Sequence, residues 1–281
     1  MMNPFGINLW NWHSGLCPQC QDLPQRIAQM GFTAIELPMS VPEPEEELMA
    51  QIRSSGLRVS LCAALGPGRD LSSFDSSVRE STMDYLTRCL KTGEKLGADV
   101  LCGPLYAGGG KRHWLSEDDK KRELDLAAAG IRELARRAAD FGIPLSVEPV
   151  NRYRTSVCNT VDQVMTLLDA VGADNVGLHY DTYQACIEEK DMLQALETVL
   201  KAKKLTHFHA CANNRGAPGQ GILPWETILD LLRKYGYEGH ITMETFALGG
   251  LDSSWVQVHE EPDTLALAGL TYLKNYFCQF E

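Results

Sequence analysis

The 281-residue chain predicts an α/β fold, specifically a single (β/α)8 TIM barrel in which residues 1–281 form one domain. Three observations carry this. Short apolar segments alternate with longer amphipathic ones through eight strand–helix units. Several helices end on a glycine directly before the next strand, as in Met30-Gly31-Phe32, Phe141-Gly142-Ile143 and Tyr235-Gly236-Tyr237, the cap that αβ connections use. No linker or low-complexity segment interrupts a length close to the roughly 250 residues of such barrels. A doubly wound open sheet is the alternative. No GxGxxG follows the first strand, which removes the commonest nucleotide-binding version of that fold.

The elements follow in order. Phe5 to Leu9 is the first strand, and Cys20 to Met30 a helix stopped by Gly31. Thr33 to Leu37, Glu45 to Ser54 (ended by Gly56) and Arg58 to Ala63 are strand, helix and strand. The amphipathic stretch Ser77 to Lys95 precedes a fourth strand, Asp99 to Gly103. Glu117 to Phe141, rich in Ala, Leu, Arg and Glu, is the longest helix, and Leu145 to Glu148 the fifth strand. Val161 to Val171 is a helix capped by Asn159 or Thr160. Val176 to Tyr180, Met192 to Ala202 and Lys204 to His209 supply the sixth strand, a helix and the seventh strand. Trp225 to Tyr235 is a helix with Pro224 as its first residue. Gly239 to Glu244 and Pro262 to Phe277 close the series.

Composition narrows the function. A net charge of −11, from 37 acidic and 26 basic residues, argues against nucleic acid, whose phosphates need a basic face. No apolar run is long enough to span a bilayer, and MMNPFGINLWNW lacks the charged start and apolar core of a signal peptide. The expected location is the cytoplasm. The nine cysteines are scattered through apolar segments, as reduced buried thiols are. Cys17 and Cys20 form a lone CxxC, read as an incidental pair near the first helix.

In a barrel, function sits where strands end and βα loops begin. Four successive strands deliver Glu148 (LSVEPVNRY), Asp181 (VGLHYDTY), His209 (HFHAC) and Glu244 (ITMETF) to one rim, each about one βα unit after the last. Three carboxylates in one place raise each other's pKa, and a divalent cation removes the conflict. Three oxygen donors and one imidazole suit Mn²⁺ or Mg²⁺ better than a thiolate-rich zinc site, with Co²⁺ and Zn²⁺ also compatible. Period-two alternation places Leu205, His207 and His209 on one strand face. Ser146, His179, His207 and Thr242 each lie two residues before a rim residue, and form a polar layer expected to hydrogen-bond and orient the ligands.

At these motifs the sequence resembles the xylose isomerase-like sugar isomerases and epimerases, in the branch of D-tagatose 3-epimerase and D-psicose (allulose) 3-epimerase. The likeness is strongest in IPLSVEPVNRY, NVGLHYDTY, HFHACANNRGAPGQGILPW and GYEGHITMETF. It implies a (β/α)8 barrel assembled as a homodimer or homotetramer. It also implies Glu148, Asp181, His209 and Glu244 as ligands of Mn²⁺, Co²⁺ or Mg²⁺. The chemistry expected is inversion at C3 of a ketose or ketose derivative. The cation polarises the carbonyl and acidifies the adjacent carbon. One glutamate removes that proton, giving a cis-enediolate held by the metal, and the other returns a proton to the opposite face. Arg215 matches the arginine that binds substrate oxygens near the carbonyl. Glu36, in AIELP, matches a position near the substrate or supporting the site. His113 and Trp114, in the loop YAGGGKRHW, are candidates to close over the sugar. Trp10 and Trp12 are candidates for the mouth, and Asn151 and Arg152 for bracing the site.

The chain departs from the family around the substrate. Arg154 stands where the family carries an acid and Gln184 where it carries a histidine, both at sugar-contacting positions. Ala212 and Asn214 replace acids in the loop after His209, and Trp255-Val256 replaces a Trp-Arg pair. Arg154 suggests either a carboxylate or phosphate on the substrate, or a side chain that points away to a partner on another subunit. The same metal site also suits an aldose–ketose or inosose isomerase, a dehydratase, or a 3-keto-sugar lyase. An endonuclease IV-like phosphodiesterase needs more ligands and a basic groove. A non-catalytic sugar-binding protein has no need of intact ligands.

Overall fold

Strand β1 (Phe5–Asn8) pairs on one side with β2 (Ala34–Pro38) and on the other with β8 (Ile241–Met243), so the sheet has no edge. The computed structural model describes residues 3–41, 43–246 and 261–280; Trp255 and Val256 lie outside them. Between β2 and β8 run β3 (Arg58–Cys62), β4 (Ala98–Gly103), β5 (Leu145–Val147), β6 (Val176–Asp181) and β7 (Leu205–Ala210). Among the described residues the eight strands are parallel, each paired with its sequence neighbours, and form the closed barrel the sequence predicts.

The helices form the outer layer: α1 (Leu23–Met30), α2 (Glu46–Ser55), α3 (Ser76–Leu96), α4 (Glu117–Asp140), α5 (Val161–Val171), α6 (Thr182–Glu188), α7 (Met192–Lys201), α8 (Trp225–Lys234) and α9 (Pro262–Phe277). The main core lies between this layer and the sheet, where Ile35, Leu101, Leu145, Leu178 and Phe208 meet Ile27, Leu90, Ile131, Val164 and Ile228. All are buried, and loss of a buried aliphatic side chain there costs about 2–5 kcal/mol. A smaller cluster of Trp10, Cys62, Val100 and Cys102 packs with Ala64 and Phe246. All nine cysteines are free thiols. No helix of the described residues is long and apolar enough to cross a membrane.

Several boundaries move from the sequence expectation for local reasons. Pro18–Cys20 is a separate 3-10 turn, so α1 begins at Leu23 instead of Cys20. Thr160 caps α5 in a reciprocal capping box with Gln163. Pro224 is the residue before α8, in a non-helical conformation with ψ 67°, and Trp225 is the first helical residue. The short helix α6 was not expected. Strand β8 stops at Met243, one residue before Glu244. In β7 a bulge interrupts the alternation: Leu205 aligns with Leu178 and His207 with His179, which leaves Thr206 as an extra residue. Leu205 therefore packs against the outer core, and does not share the inner face with His207 and His209.

Candidate active site

The four rim residues converge. Glu148 follows β5 directly, and its backbone N–H donates to the carbonyl of Gly103 at the end of β4 (3.0 Å). Gly103 has φ +118°, and a Cβ there would come within 2.8 Å of the Ala63 carbonyl oxygen, so only glycine permits this close approach of backbones. Asp181, the last residue of β6, caps α6: its Oδ1 accepts from the N–H groups of Tyr183 (2.6 Å) and Gln184 (2.9 Å). Its Oδ2 is left toward the site, 3.6 Å from His209 Nδ1. Glu244 Oε1 lies 3.5 Å from the same nitrogen. Glu148, Asp181 and His209 offer ligand atoms all within 4.8 Å of one another.

The imidazole of His209 shows whether this site fits a cation. Its Nε2 is 2.7 Å from Glu36 Oε1. Its buried Nδ1 has no hydrogen-bond partner among the described residues, yet faces carboxylates. Glu36 thus fixes one tautomer and presents the other nitrogen as a donor atom, as carboxylates do behind metal-binding histidines. Oxygen donors around one imidazole nitrogen fit a divalent cation of the Mn²⁺ or Mg²⁺ type. Two other groupings share His209 and draw on Glu36 with Cys62 and Cys102, or on His179 and His207. The first uses a carboxylate already satisfied by hydrogen bonds.

Glu36 proves to be a buried hub, not a residue of the cavity wall. It stands in the middle of β2, fully buried, and accepts from Asn8 Nδ2 (2.8 Å), Ser60 Oγ (2.9 Å), His207 Nε2 (2.7 Å) and His209 Nε2. The polar layer below the rim is present, but its bonding differs from the expectation. His207 is tied to Glu36. His179 Nδ1 lies 3.7 Å from Glu148 Oε2, too far for a hydrogen bond. Ser146 Oγ pairs with the bulged Thr206 at 2.6 Å, not with a rim residue. Thr242 Oγ1 has no hydrogen-bond partner among the described residues. Orientation runs through Glu36, with Asn8 and Ser60, which the sequence reading missed because nothing marks an inward polar residue in mid-strand.

Arg215 reaches the same carboxylates. Its Nη1 lies 2.8 Å from Asp181 Oδ2, 2.7 Å from Glu244 Oε2 and 3.1 Å from Cys211 Sγ. The guanidinium stacks on Tyr183 (4.0 Å) and faces Phe246 (4.9 Å). Its backbone is left-handed, φ +62°, in a tight turn where its N–H donates to the Ala212 carbonyl and the Ala212 N–H to the Gly216 carbonyl, both 2.9 Å. Asn214 Oδ1 accepts from the Gly216 N–H.

A cavity opens above these groups. Glu148, Glu244, Arg215, Gln184 and Arg154 line its polar side, and Trp10, Leu65, Val150 and Phe246 its apolar side. Gln184 Oε1 accepts from the N–H (2.9 Å) and Nδ2 (2.6 Å) of Asn151, so Asn151 sets the amide. Arg152 pairs with Glu188 (2.6 Å). Trp10 stacks on Phe246, centroids 5.2 Å apart, whereas Trp12 donates to Asp263 (2.7 Å) away from the cavity. His113 and Trp114 do not line it: His113 faces Glu123 at 3.4 Å and Trp114 is 86% exposed. His13 comes close to Cys17 and Cys20, whose sulfurs are 3.5 Å apart; none of the three lines the cavity.

Burial, with Asp181 and Glu244 nearby, lifts the Glu148 carboxyl well above its ordinary range. Burial also raises Glu244, against the pull of Arg215 and His209. For Asp181 burial acts upward, but Arg215 and His209 outweigh it and hold the carboxyl below its ordinary range. Burial likewise opposes ionisation of Glu36, and His209 and His207 overcome it. His207 is pushed down to about 4 by burial. Burial and the neighbouring charges thus raise the two cavity glutamates and lower Asp181 and Glu36.

Fold and site together define a barrel enzyme with a candidate metal-binding site at the carboxyl-terminal rim of its strands. The family model described as Xylose isomerase-like TIM barrel matches residues 24–276, and the chain belongs to that family. The ketose 3-epimerase of Arthrobacter globiformis is 32% identical over 225 residues, covering 79% of this chain and 76% of the relative. The D-psicose 3-epimerase of Agrobacterium fabrum is 32% identical over 244 residues, 83% of this chain and 82% of the relative. A solved L-ribulose 3-epimerase has a TM-score of 0.89 at 25% identity, covering 99% of this chain and 95% of that one. The D-psicose 3-epimerase of Clostridium cellulolyticum H10, solved with D-tagatose, gives 0.85 at 25% identity over 97% and 99%. The resemblance seen in the motifs is that of the whole chain.

Proposed function

We propose that this enzyme inverts C3 of a ketose or ketose derivative, with Glu148 and Glu244 as its two proton-transfer groups. The observation that carries the reading is that both glutamates line one cavity, beside Arg215 and Gln184. The names of the ketose epimerases it resembles support the substrate class. Glu148, Asp181, His209 and Glu244 would hold a divalent cation, Mn²⁺ by donor chemistry, with Co²⁺, Mg²⁺ and then Zn²⁺ as alternatives. When bound, the cation polarises the substrate carbonyl and acidifies the neighbouring C–H.

The chain's own residues supply the rest. One glutamate removes the C3 proton, leaving an enediolate, and the other delivers a proton to the opposite face. Glu36 holds His209 in place from behind. Arg215 and Gln184 supply donors to substrate oxygens, and the Trp10–Phe246 stack offers an apolar face to the sugar carbons. The active form is a homodimer or homotetramer, which sedimentation measures.

The decisive experiment incubates ketoses with the Mn²⁺-loaded enzyme in D₂O. The expected result is deuterium at C3 in both epimers, without loss of water. An aldose product would assign isomerase activity to the same glutamates, and loss of water a dehydratase. No exchange with any ketose overturns the reading.

A further inference from the structure

We infer that His13, Cys17 and Cys20 form a binding site for a soft divalent cation of the Zn²⁺ type, apart from the rim carboxylates. A ring nitrogen of His13 and the two sulfurs all lie within 4.8 Å of one another. The sulfurs themselves are 3.5 Å apart. The CxxC alone offers two donors, too few to hold an ion firmly; the fold brings His13 onto them as the third. None of the three lines the cavity of Glu148 and Glu244, so the site stands independently of the ketose reading.

The backbone sets these donors in place before an ion arrives. His13 leaves the 3-10 turn Leu9–Asn11 with its N–H donating to the Leu9 carbonyl (3.2 Å). Cys17 and Cys20 bracket the turn Pro18–Cys20, which the Cys20 N–H closes by donating to the Cys17 carbonyl (2.9 Å). Pro18 fixes the first φ of that turn. The Cys20 sulfur lies 3.8 Å from the Gly15 carbonyl oxygen. Cys20 is buried in the outer core, whereas His13 and Cys17 are half-buried. One donor is thus anchored, and the other two leave a route in from solvent.

Donor chemistry selects the ion. Two sulfurs and one imidazole suit Zn²⁺ over Mn²⁺ or Mg²⁺, the reverse of the oxygen-rich rim. A tetrahedral ion with bonds of about 2.3 Å to sulfur and about 2.0 Å to nitrogen spaces its sulfurs about 3.8 Å apart, and sulfur from nitrogen about 3.5 Å. The sulfurs then move by only about 0.3 Å, and the half-buried His13 ring closes in by side-chain rotation. A disulfide of about 2.05 Å needs the sulfurs to approach by about 1.5 Å and gives His13 no part. Three protein donors leave the fourth position to water. Burial pushes the Cys20 thiol up to about 12, so the ion displaces its proton on binding. An ion held here ties the two 3-10 turns together, in the loop that also carries Trp10 of the cavity wall.

The test titrates the reduced full chain with Co²⁺, an optical stand-in for Zn²⁺. A thiolate-to-Co²⁺ charge-transfer band should develop in the near ultraviolet, and Zn²⁺ should bleach it by displacement. Asp181→Asn, which removes a rim ligand, should keep the band, as should Cys62→Ser, which removes a thiol of the barrel interior. Cys17→Ser should abolish it. Zn²⁺ affinity is then measured by competition with a chelating dye in the Asp181→Asn background, which sets the rim site aside. There His13→Ala and Cys17→Ser, both at half-buried positions, should each weaken binding by about 100-fold or more. Absence of the band from the reduced chain would overturn the site. So would a band that survives Cys17→Ser, or one lost in Asp181→Asn or Cys62→Ser, which would place the ion in the barrel. Unchanged Zn²⁺ affinity in either His13→Ala or Cys17→Ser would overturn it as well.

Discussion

The Nε2 of His209 lies 2.7 Å from Oε1 of Glu36, and this one contact decides which imidazole nitrogen faces the rim carboxylates. Glu36→Gln replaces a carboxylate that accepts from Asn8, Ser60, Cys102, His207 and His209 with a group of the same shape that accepts at one end only. It should weaken Mn²⁺ binding about 10–100-fold, read by competition with a chelating dye. An affinity within twofold of the parent would show that His209 needs no such support.

Glu148→Gln and Glu244→Gln each remove a proton carrier. Each should lower turnover by about 10²–10⁴-fold. The partial reaction separates them: the variant lacking only the returning group should still wash the C3 proton of one epimer into solvent. Both variants exchanging both epimers at parental rates would exclude the two-glutamate scheme.

Chelation should abolish activity, and added Mn²⁺ should restore it. A cation held at about a hundred times its Kd stabilises the fold by about 2.7 kcal/mol, so the melting temperature should rise with Mn²⁺. Replacement of Asp181 by Asn should remove most of that rise. A metal-independent melting curve would count against a site built from Glu148, Asp181 and His209.

Asn151 touches Gln184 through both its N–H and its side chain. Asn151→Ala removes the side-chain half of this hold on the Gln184 amide and keeps the backbone half, without touching the rim carboxylates. KM should rise severalfold while Mn²⁺ affinity holds. A loss of metal binding instead would show that the β5 loop braces Glu148 and not the amide.

At the opposite end of the barrel, Asp99 Oδ2 accepts from Arg58 Nε (2.9 Å) and lies 2.8 Å from His240 Nε2. Burial opposes its ionisation, but His240 and Arg58 outweigh burial and lower the carboxyl. A lowered folded-state value stabilises the protein above the unfolded pKa of about 4 and loses that effect as pH falls through the folded value. Asp99→Asn should therefore cost about 1 kcal/mol at pH 7, allowing for the partial exposure of the carboxylate. The difference from the parent should narrow below about pH 4. A gap that widens on acidification would contradict the sign.

Where sequence and structure agree, local chemistry is explicit. Val161–Val171 and Pro262–Phe277 have the bounds their patterns imply, because a capping box marks the first and a proline starts the second. Glu148, Asp181, His209 and Glu244 could be picked out because each follows an apolar run at a strand end. The misses are of another kind. Thr182–Glu188 begins on the residue after β6 and is too short for a periodic signal. The role of Glu36 depends on partners from three other strands, which no linear pattern reveals. Period-two reading assigned Leu205 to the wrong face because a bulge adds one residue without any mark in composition. His113 and Trp114 were drawn toward the cavity by their types, whereas Lys111 turns their loop to Asp70 and Glu123.

That bulge also bears on how the chain can change over time. Thr206 lies between the paired positions Leu178–Leu205 and His179–His207 and meets Ser146 at the barrel floor. Its removal would let the two ladders run in step while His207 and His209 keep their partners on β6. The chain therefore has a slack link one step below its imidazoles. Gain or loss of a residue in the connection from α7 can be taken up there, so drift in the length of the outer layer need not reach the reacting groups.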